Sequence, residues 1–96
     1  MKVEWSGEAL DDFDGAVACL AGRDPRIARL VADRVGAACE ALGRRSTDRP
    51  GRVPGTLEKS VPRTSYVVAY AVRGDTVAIL RVIHAARDWP AGEWPD

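Results

Sequence analysis

Histidine is nearly absent from this sequence: His84 is the only one in 96 residues. Cysteine is scarce too, with Cys19 and Cys39 alone. One imidazole and two thiols, the thiols on the flanks of two different candidate helices, give no metal-ligand spacing. Two cysteines are too few for a disulfide framework. Neither cysteine has a histidine beside it in sequence, and no Gly-x-Ser-x-Gly turn exists for nucleophilic catalysis. Phosphate-loop and dinucleotide-binding glycine patterns are missing as well. No metal and no other cofactor is expected. The longest apolar run, Tyr66 to Val72, is seven residues, whereas a membrane-spanning helix needs about 20. The start, Met1-Lys2-Val3-Glu4-Trp5, has no long apolar stretch behind it, so no secretory signal is expected. The expectation is a cytoplasmic protein with no membrane partner.

What is present suits a folded chain. Hydrophobic residues make up 46% and charged residues 29%, too apolar for disorder. The length predicts one domain over residues 1–96, with 88–96 as an extended tail. Fourteen basic and fourteen acidic side chains give zero net charge. The zero hides a segregation. Residues 1–22 carry −4, through Glu4, Glu8, Asp11, Asp12 and Asp14 against Lys2. Residues 88–96 carry −3, and the centre, 23–87, carries +7. Every central cation is Arg except Lys59. Arginine offers a planar fork for phosphate or carboxylate, although a solvated surface would also use it.

The pattern predicts an α+β protein of order β-α-α-β-β-β. Val3 and Trp5 flank Glu4 in a short strand. Ser6 reads as a helix N-cap, with Glu8, Asp11 and Asp12 in the first turns. Leu10, Phe13, Val17 and Leu20 mark its apolar face, and Gly22 is a natural residue to follow its end. Asp24-Pro25 starts a second helix, with Ile27, Leu30, Val31, Val35, Ala38 and Leu42 as its apolar face and Gly43 at its end. So short a link predicts an antiparallel helical hairpin. Residues 44–55 read as a basic Pro/Gly-rich connection. Strands are expected over 56–61, 66–72 and 76–83, the last two joined by a two-residue turn at Gly74-Asp75. The helical hairpin then packs on one face of a small, mostly antiparallel sheet. In the last strand, period-2 alternation sets Arg81 against Leu80, Val82 and His84. If Leu80 and Val82 face the helices, Arg81 emerges on an open face with Val67, Ala69 and Ala71. Arg52, Arg63 and Arg87 lie near strand ends and could join it.

Several words of the sequence resemble one family. They are Trp5-Ser6 with Ala9-Leu10-Asp11-Asp12, then Gly51-Arg52-Val53-Pro54-Gly55-Thr56, then Tyr66-Val67-Val68-Ala69-Tyr70, and finally Ile79 through Pro90. Their order is similar to that of the RelE/ParE superfamily of bacterial toxins, over nearly the whole chain. The resemblance implies the toxin of a type II toxin–antitoxin pair, inhibiting growth and neutralised by a cognate antitoxin. It implies one of two targets. RelE-like members are ribosome-dependent mRNA interferases; ParE-like members poison DNA gyrase and are not known as nucleases. Val67 stands where RelE-like toxins commonly carry Arg after the strand tyrosine, Leu57 follows the Gly-Thr, and no Tyr occurs after Tyr70. These departures favour the ParE-like reading. Arg52, Arg63, Arg81 and Arg87 are then the candidates for target binding. In the alternative, Arg81 and Arg87 stabilise the scissile phosphate and His84 or Lys59 handles protons. A third reading is a binding module without toxicity. The antitoxin is expected along the helical hairpin and the sheet edge.

Overall fold

The computed structural model describes residues 2–44, 49 and 50 (backbone only) and 55–84. Its elements are β1 (Lys2–Trp5), α1 (Gly7–Ala21), α2 (Pro25–Leu42), β2 (Arg49–Pro50), β3 (Leu57–Ser60), β4 (Tyr66–Arg73) and β5 (Thr76–His84). The sheet order is β1-β5-β4-β3-β2. β1 runs parallel to β5, Lys2 opposite Thr76 and Trp5 opposite Ile79. The other neighbours are antiparallel. The architecture is therefore the expected α+β arrangement, two helices on a mostly antiparallel sheet.

Local chemistry accounts for the joints. Ser6 is extended and its hydroxyl accepts a hydrogen bond from the Ala9 backbone N–H, a side-chain N-cap. The same hydroxyl donates to the Leu80 carbonyl at 2.9 Å, so the cap also ties α1 to β5. Asp24 caps α2 by accepting from the Arg26 N–H, with Pro25 in the first turn. Gly22 and Gly43 end the helices with ordinary right-handed φ, so the left-handed freedom of glycine is not used there. It is used at Gly74, where φ is +63. A positive φ at the first of two turn residues is the type II′ pattern that joins twisted antiparallel strands, and Arg73 pairs with Thr76 across it.

The β3–β4 connection differs. The Thr64 N–H donates to the Val61 carbonyl, with Pro62 and Arg63 between them. Arg63 has φ +61. A turn with Pro first and a left-handed second residue normally takes Gly in that place; a side chain there costs about 1–2 kcal/mol. β2 lies inside the segment expected to be a plain connection. Its two residues pair with Glu58 and Leu57 at the sheet edge, where a proline is tolerated because one side of the strand has no ladder to complete.

The core forms between the helices and one face of the sheet. Val35, Ala38, Cys39 and Leu42 of α2 and Ala9 of α1 meet Val68, Tyr70, Val77, Ile79 and Val82. Leu10, Ile27 and Leu30, expected in the core, are 47%, 49% and 46% exposed. On α2, Val31, Val35, Ala38 and Leu42 meet the core as expected, and Phe13 of α1 packs against it; the departures lie towards the N-terminal ends of the two helices. On α1 the reason is the Ser6 tether, which draws the helix start onto β5; Ala9 is then the residue against the sheet, and its small side chain permits the close approach. Ala28 takes the corresponding inward place on α2. The second face of the sheet is not open as expected. Val67, Ala69, Ala71 and Ile83, which alternate with the core residues, are also buried, as apolar side chains should be.

Ser6→Ala removes a cap and an α1–β5 hydrogen bond together. Urea denaturation is expected to show a loss of about 1–2 kcal/mol. Ser6→Asp, which can accept from Ala9 but not donate to Leu80, is expected to fall between Ala and wild type.

Candidate functional site

The candidate site lies where β5 outruns β1. β1 ends at Trp5, opposite Ile79, but β5 continues to His84. Backbone groups on that edge need other partners. The Ser6 N–H donates to the Ile79 carbonyl and the Ser6 hydroxyl to the Leu80 carbonyl. The Val82 N–H donates to Asp12 Oδ2 at 3.1 Å. The start of α1 thus replaces the missing strand.

The same carboxylate holds Arg81. Arg81 Nε donates to Asp12 Oδ2 at 2.6 Å and Nη2 to Oδ1 at 3.0 Å. This is a bidentate, charge-assisted pair, with side chains only 12% and 17% exposed. Arg81 is not open as expected, because its guanidinium closes on Asp12 at the edge that β1 leaves uncovered; β5 is also irregular just before it. Ala69 is opposite Arg81 and Tyr70 is opposite Ile79, so Leu80 is an extra residue in β5. A bulge of this kind re-aims the side chains after it. Val82 enters the core with Val77 and Ile79, and Arg81 reaches Asp12.

The other candidate residues are dispersed. His84 is exposed and stacks edge-on against Tyr66, ring centroids 5.3 Å apart. It borders a groove of about 660 Å³ between the sheet and α1, shared with Tyr66, Val82, Asp11, Cys19 and Arg23. Lys59 is half-buried on β3, opposite Val68, which is itself opposite Val82. β4 therefore lies between Lys59 and His84. Two strand spacings alone are about 10 Å, so these residues are not gathered around one reacting atom. Arg63 is exposed on the β3–β4 turn. Arg52 and Arg87 lie outside the described residues. Among the described residues no cluster of three or more His, Cys, Asp or Glu could hold a metal ion, and no helix is long and apolar enough to cross a membrane.

Two side chains of this region were not singled out from the sequence: Asp12 as the partner of Arg81, and Ser6 as an edge donor. The available signal was Arg81 inside the apolar run Val77–Ile83. A cation buried among such neighbours needs a carboxylate, and the acidic residues of α1 were the nearest supply. The two cysteines also diverge. Cys19 is exposed, whereas Cys39 is buried and inert in surroundings that push its thiol up to about 12 by desolvation.

A helical hairpin on this sheet order, with α1 sealing the edge of the last strand, defines a small α+β domain. The match to a known family extends over residues 3–89 and is to the ParE toxin of type II toxin–antitoxin systems, parDE. The chain belongs to that family. It is 34% identical over 90 residues to Y4kP of Sinorhizobium fredii, a protein classed by its name as a toxin, covering 93% of each chain. The fold also matches a structure of the chromosomal ParDE toxin–antitoxin system from P. aeruginosa, with TM-score 0.79 and 22% identity over 88% of this chain and 95% of that one. The protein is thus a ParE-like toxin component of a type II toxin–antitoxin system.

Asp12→Ala leaves Arg81 and the Val82 N–H without their acceptor, and is expected to cost about 3 kcal/mol. Arg81→Met should cost less, and the double variant should recover part of the loss. Strictly additive costs in a denaturation cycle would show the pair to be idle. The thiols give a separate check. Native protein at pH 8 should react with a thiol reagent at Cys19 and not at Cys39. Because burial raises the Cys39 thiol from 9.0 to about 12, folding favours its protonated form. That contribution is intact below about pH 9 and is lost progressively as pH rises towards 12.

Proposed function

We propose that this toxin inhibits growth by binding DNA gyrase and that a cognate antitoxin neutralises it. Membership of the ParE family supports the toxin role. The observation that carries the choice of target is the state of Arg81. An mRNA interferase needs a guanidinium aimed at the scissile phosphate, and the fork of Arg81 is engaged on both sides by Asp12. Removing one positioned charge of that kind from a phosphoryl site costs about 3–4 kcal/mol of barrier. Val67, where a second cation would stand, is buried and apolar. Lys59 and His84 do not converge. A protein–DNA machine in the cytoplasm, recognised over a surface, makes no such demand on a reacting centre.

The ribosome-dependent mRNA interferase is the second reading, favoured by exposed His84 beside Tyr66 at the groove. One pair of assays separates the two. Purified toxin is expected to block gyrase supercoiling or to trap cleaved DNA, and no effect at excess toxin overturns the proposal. Primer extension on translated message after toxin induction is expected to find intact mRNA. New cleavage ends that vanish in His84→Ala would establish the interferase instead. Normal growth on induction without antitoxin would leave a binding module without toxicity.

A further inference from the structure

Two arginines outside the groove come together without an acidic partner. Arg34 of α2 donates from Nη1 to the Arg63 backbone carbonyl at 3.0 Å. A guanidinium has five N–H donors, and no carboxylate pairs with Arg34 or Arg63 among the described residues. Arg81 and Arg26, by contrast, each hold an aspartate. Arg63 sits in the left-handed conformation that its turn would give to Gly. Strain of that kind, kept where a smaller residue would relieve it, points to a use for the side chain.

The surface beside this pair is apolar. Ile27, Leu30 and Arg34 follow one another at i, i+3 and i+7, so they share one stripe of α2. Ile27 and Leu30 are the half-exposed apolar side chains of that helix, while Val35, Ala38 and Leu42 turn into the core. Arg29, also exposed, adds a cation to the N-terminal half of α2, where Arg26 is paired with Asp24. Apolar side chains running into Arg34, which touches the backbone of exposed Arg63, match a peptide with apolar residues followed, one turn on, by a carboxylate. A nucleic-acid backbone would satisfy the arginines but leave Ile27 and Leu30 against phosphates and sugars. Protein is the better occupant.

We propose that Arg34 and Arg63 form a carboxylate clamp at the end of the Ile27–Leu30 stripe, and that the clamp seats an acidic amphipathic segment of the antitoxin. The inference rests on the antitoxin reading above and adds the place and chemistry of contact. Arg34 is held in position by the Arg63 carbonyl before any partner arrives, so little of its freedom remains to be lost on binding.

The test is a titration of purified toxin with its cognate antitoxin, at low and high salt. Arg63→Gly is the decisive variant, because Gly suits φ +61 and keeps the turn. It is expected to melt at or above the wild-type temperature yet bind the antitoxin about 5–10-fold more weakly. Arg34→Glu with Arg63→Glu should weaken binding by 100-fold or more and reduce its salt dependence. Arg73→Glu, on the exposed end of β4, should leave affinity unchanged. Unaltered affinity in both Arg63→Gly and the double reversal overturns the clamp while leaving the antitoxin reading intact. Variants that keep antitoxin affinity but lose binding to a DNA duplex overturn it in favour of a phosphate site. A wild-type toxin that does not bind the antitoxin at all overturns both readings.

Discussion

Asp12 is the residue on which the arrangement of this toxin turns. Its two oxygens accept from Arg81 Nε, Arg81 Nη2 and the Val82 N–H. All three groups come from the stretch of β5 that β1 is too short to cover. An uncovered strand edge is a liability, and a helix cannot ordinarily satisfy it, because its own backbone groups are engaged along its length. Only side chains from the first turns of α1 can do so, and Ser6 and Asp12 provide them. The consequence runs through the core. With the beginning of α1 fixed by Ser6 and its second turn by Asp12, the rotation of the helix is set. Ala9 must face the sheet and Leu10 must face away.

That constraint explains which parts of the fold were legible in the sequence. Both helix caps, the Gly74-Asp75 turn and the strands over 66–72 and 76–83 announce themselves through local chemistry, each strand running one residue further in the structure. Ser6, Asp24, Pro25 and Gly74 act within a few residues of their own positions. The rotation of α1 was not legible, because it follows from contacts made 69 and 74 residues away. Apolar spacing in α1 gives a face centred on Leu10, Phe13 and Val17; the tertiary tether overrides it by less than a turn. The bulge at Leu80 was equally hidden. Nothing in Val77–Ile83 marks an extra residue, yet a slip of one position exchanges the faces of a strand. Arg81 itself stands opposite Ala69, on the face alternation gives it; what the sequence hides is its partner Asp12, 69 residues away. β2 escaped because two residues carry no periodicity.

The distribution of charge also takes on a physical meaning. The acidic first segment and the basic centre of the sequence are not simply two surfaces. Asp12 belongs to the first and Arg81 to the second, and folding brings them together with little exposure to water. Such a pair is weak evidence for net stability, since desolvating both ions offsets much of their attraction. It is stronger evidence for specificity. Either charge left alone in that position would be costly, so registers that separate them are disfavoured.

The arginines accordingly fall into two kinds. Arg81 is neutralised by a carboxylate in contact, and the field of such a pair falls off faster with distance than that of a lone charge. A phosphate several ångströms away would meet a dipole, not a cation. Arg34 and Arg63 differ because no carboxylate pairs with either among the described residues; Arg34 donates to the Arg63 backbone carbonyl, which orients a guanidinium without cancelling its charge. The first kind builds the domain; the second leaves charge available at its surface. Position in the sequence does not distinguish them, for all three lie in the same basic segment. The distinction arises from what each meets after folding: Arg81 emerges from the bulge against α1, where an acidic residue is waiting, while Arg34 emerges beside a turn that offers only its backbone.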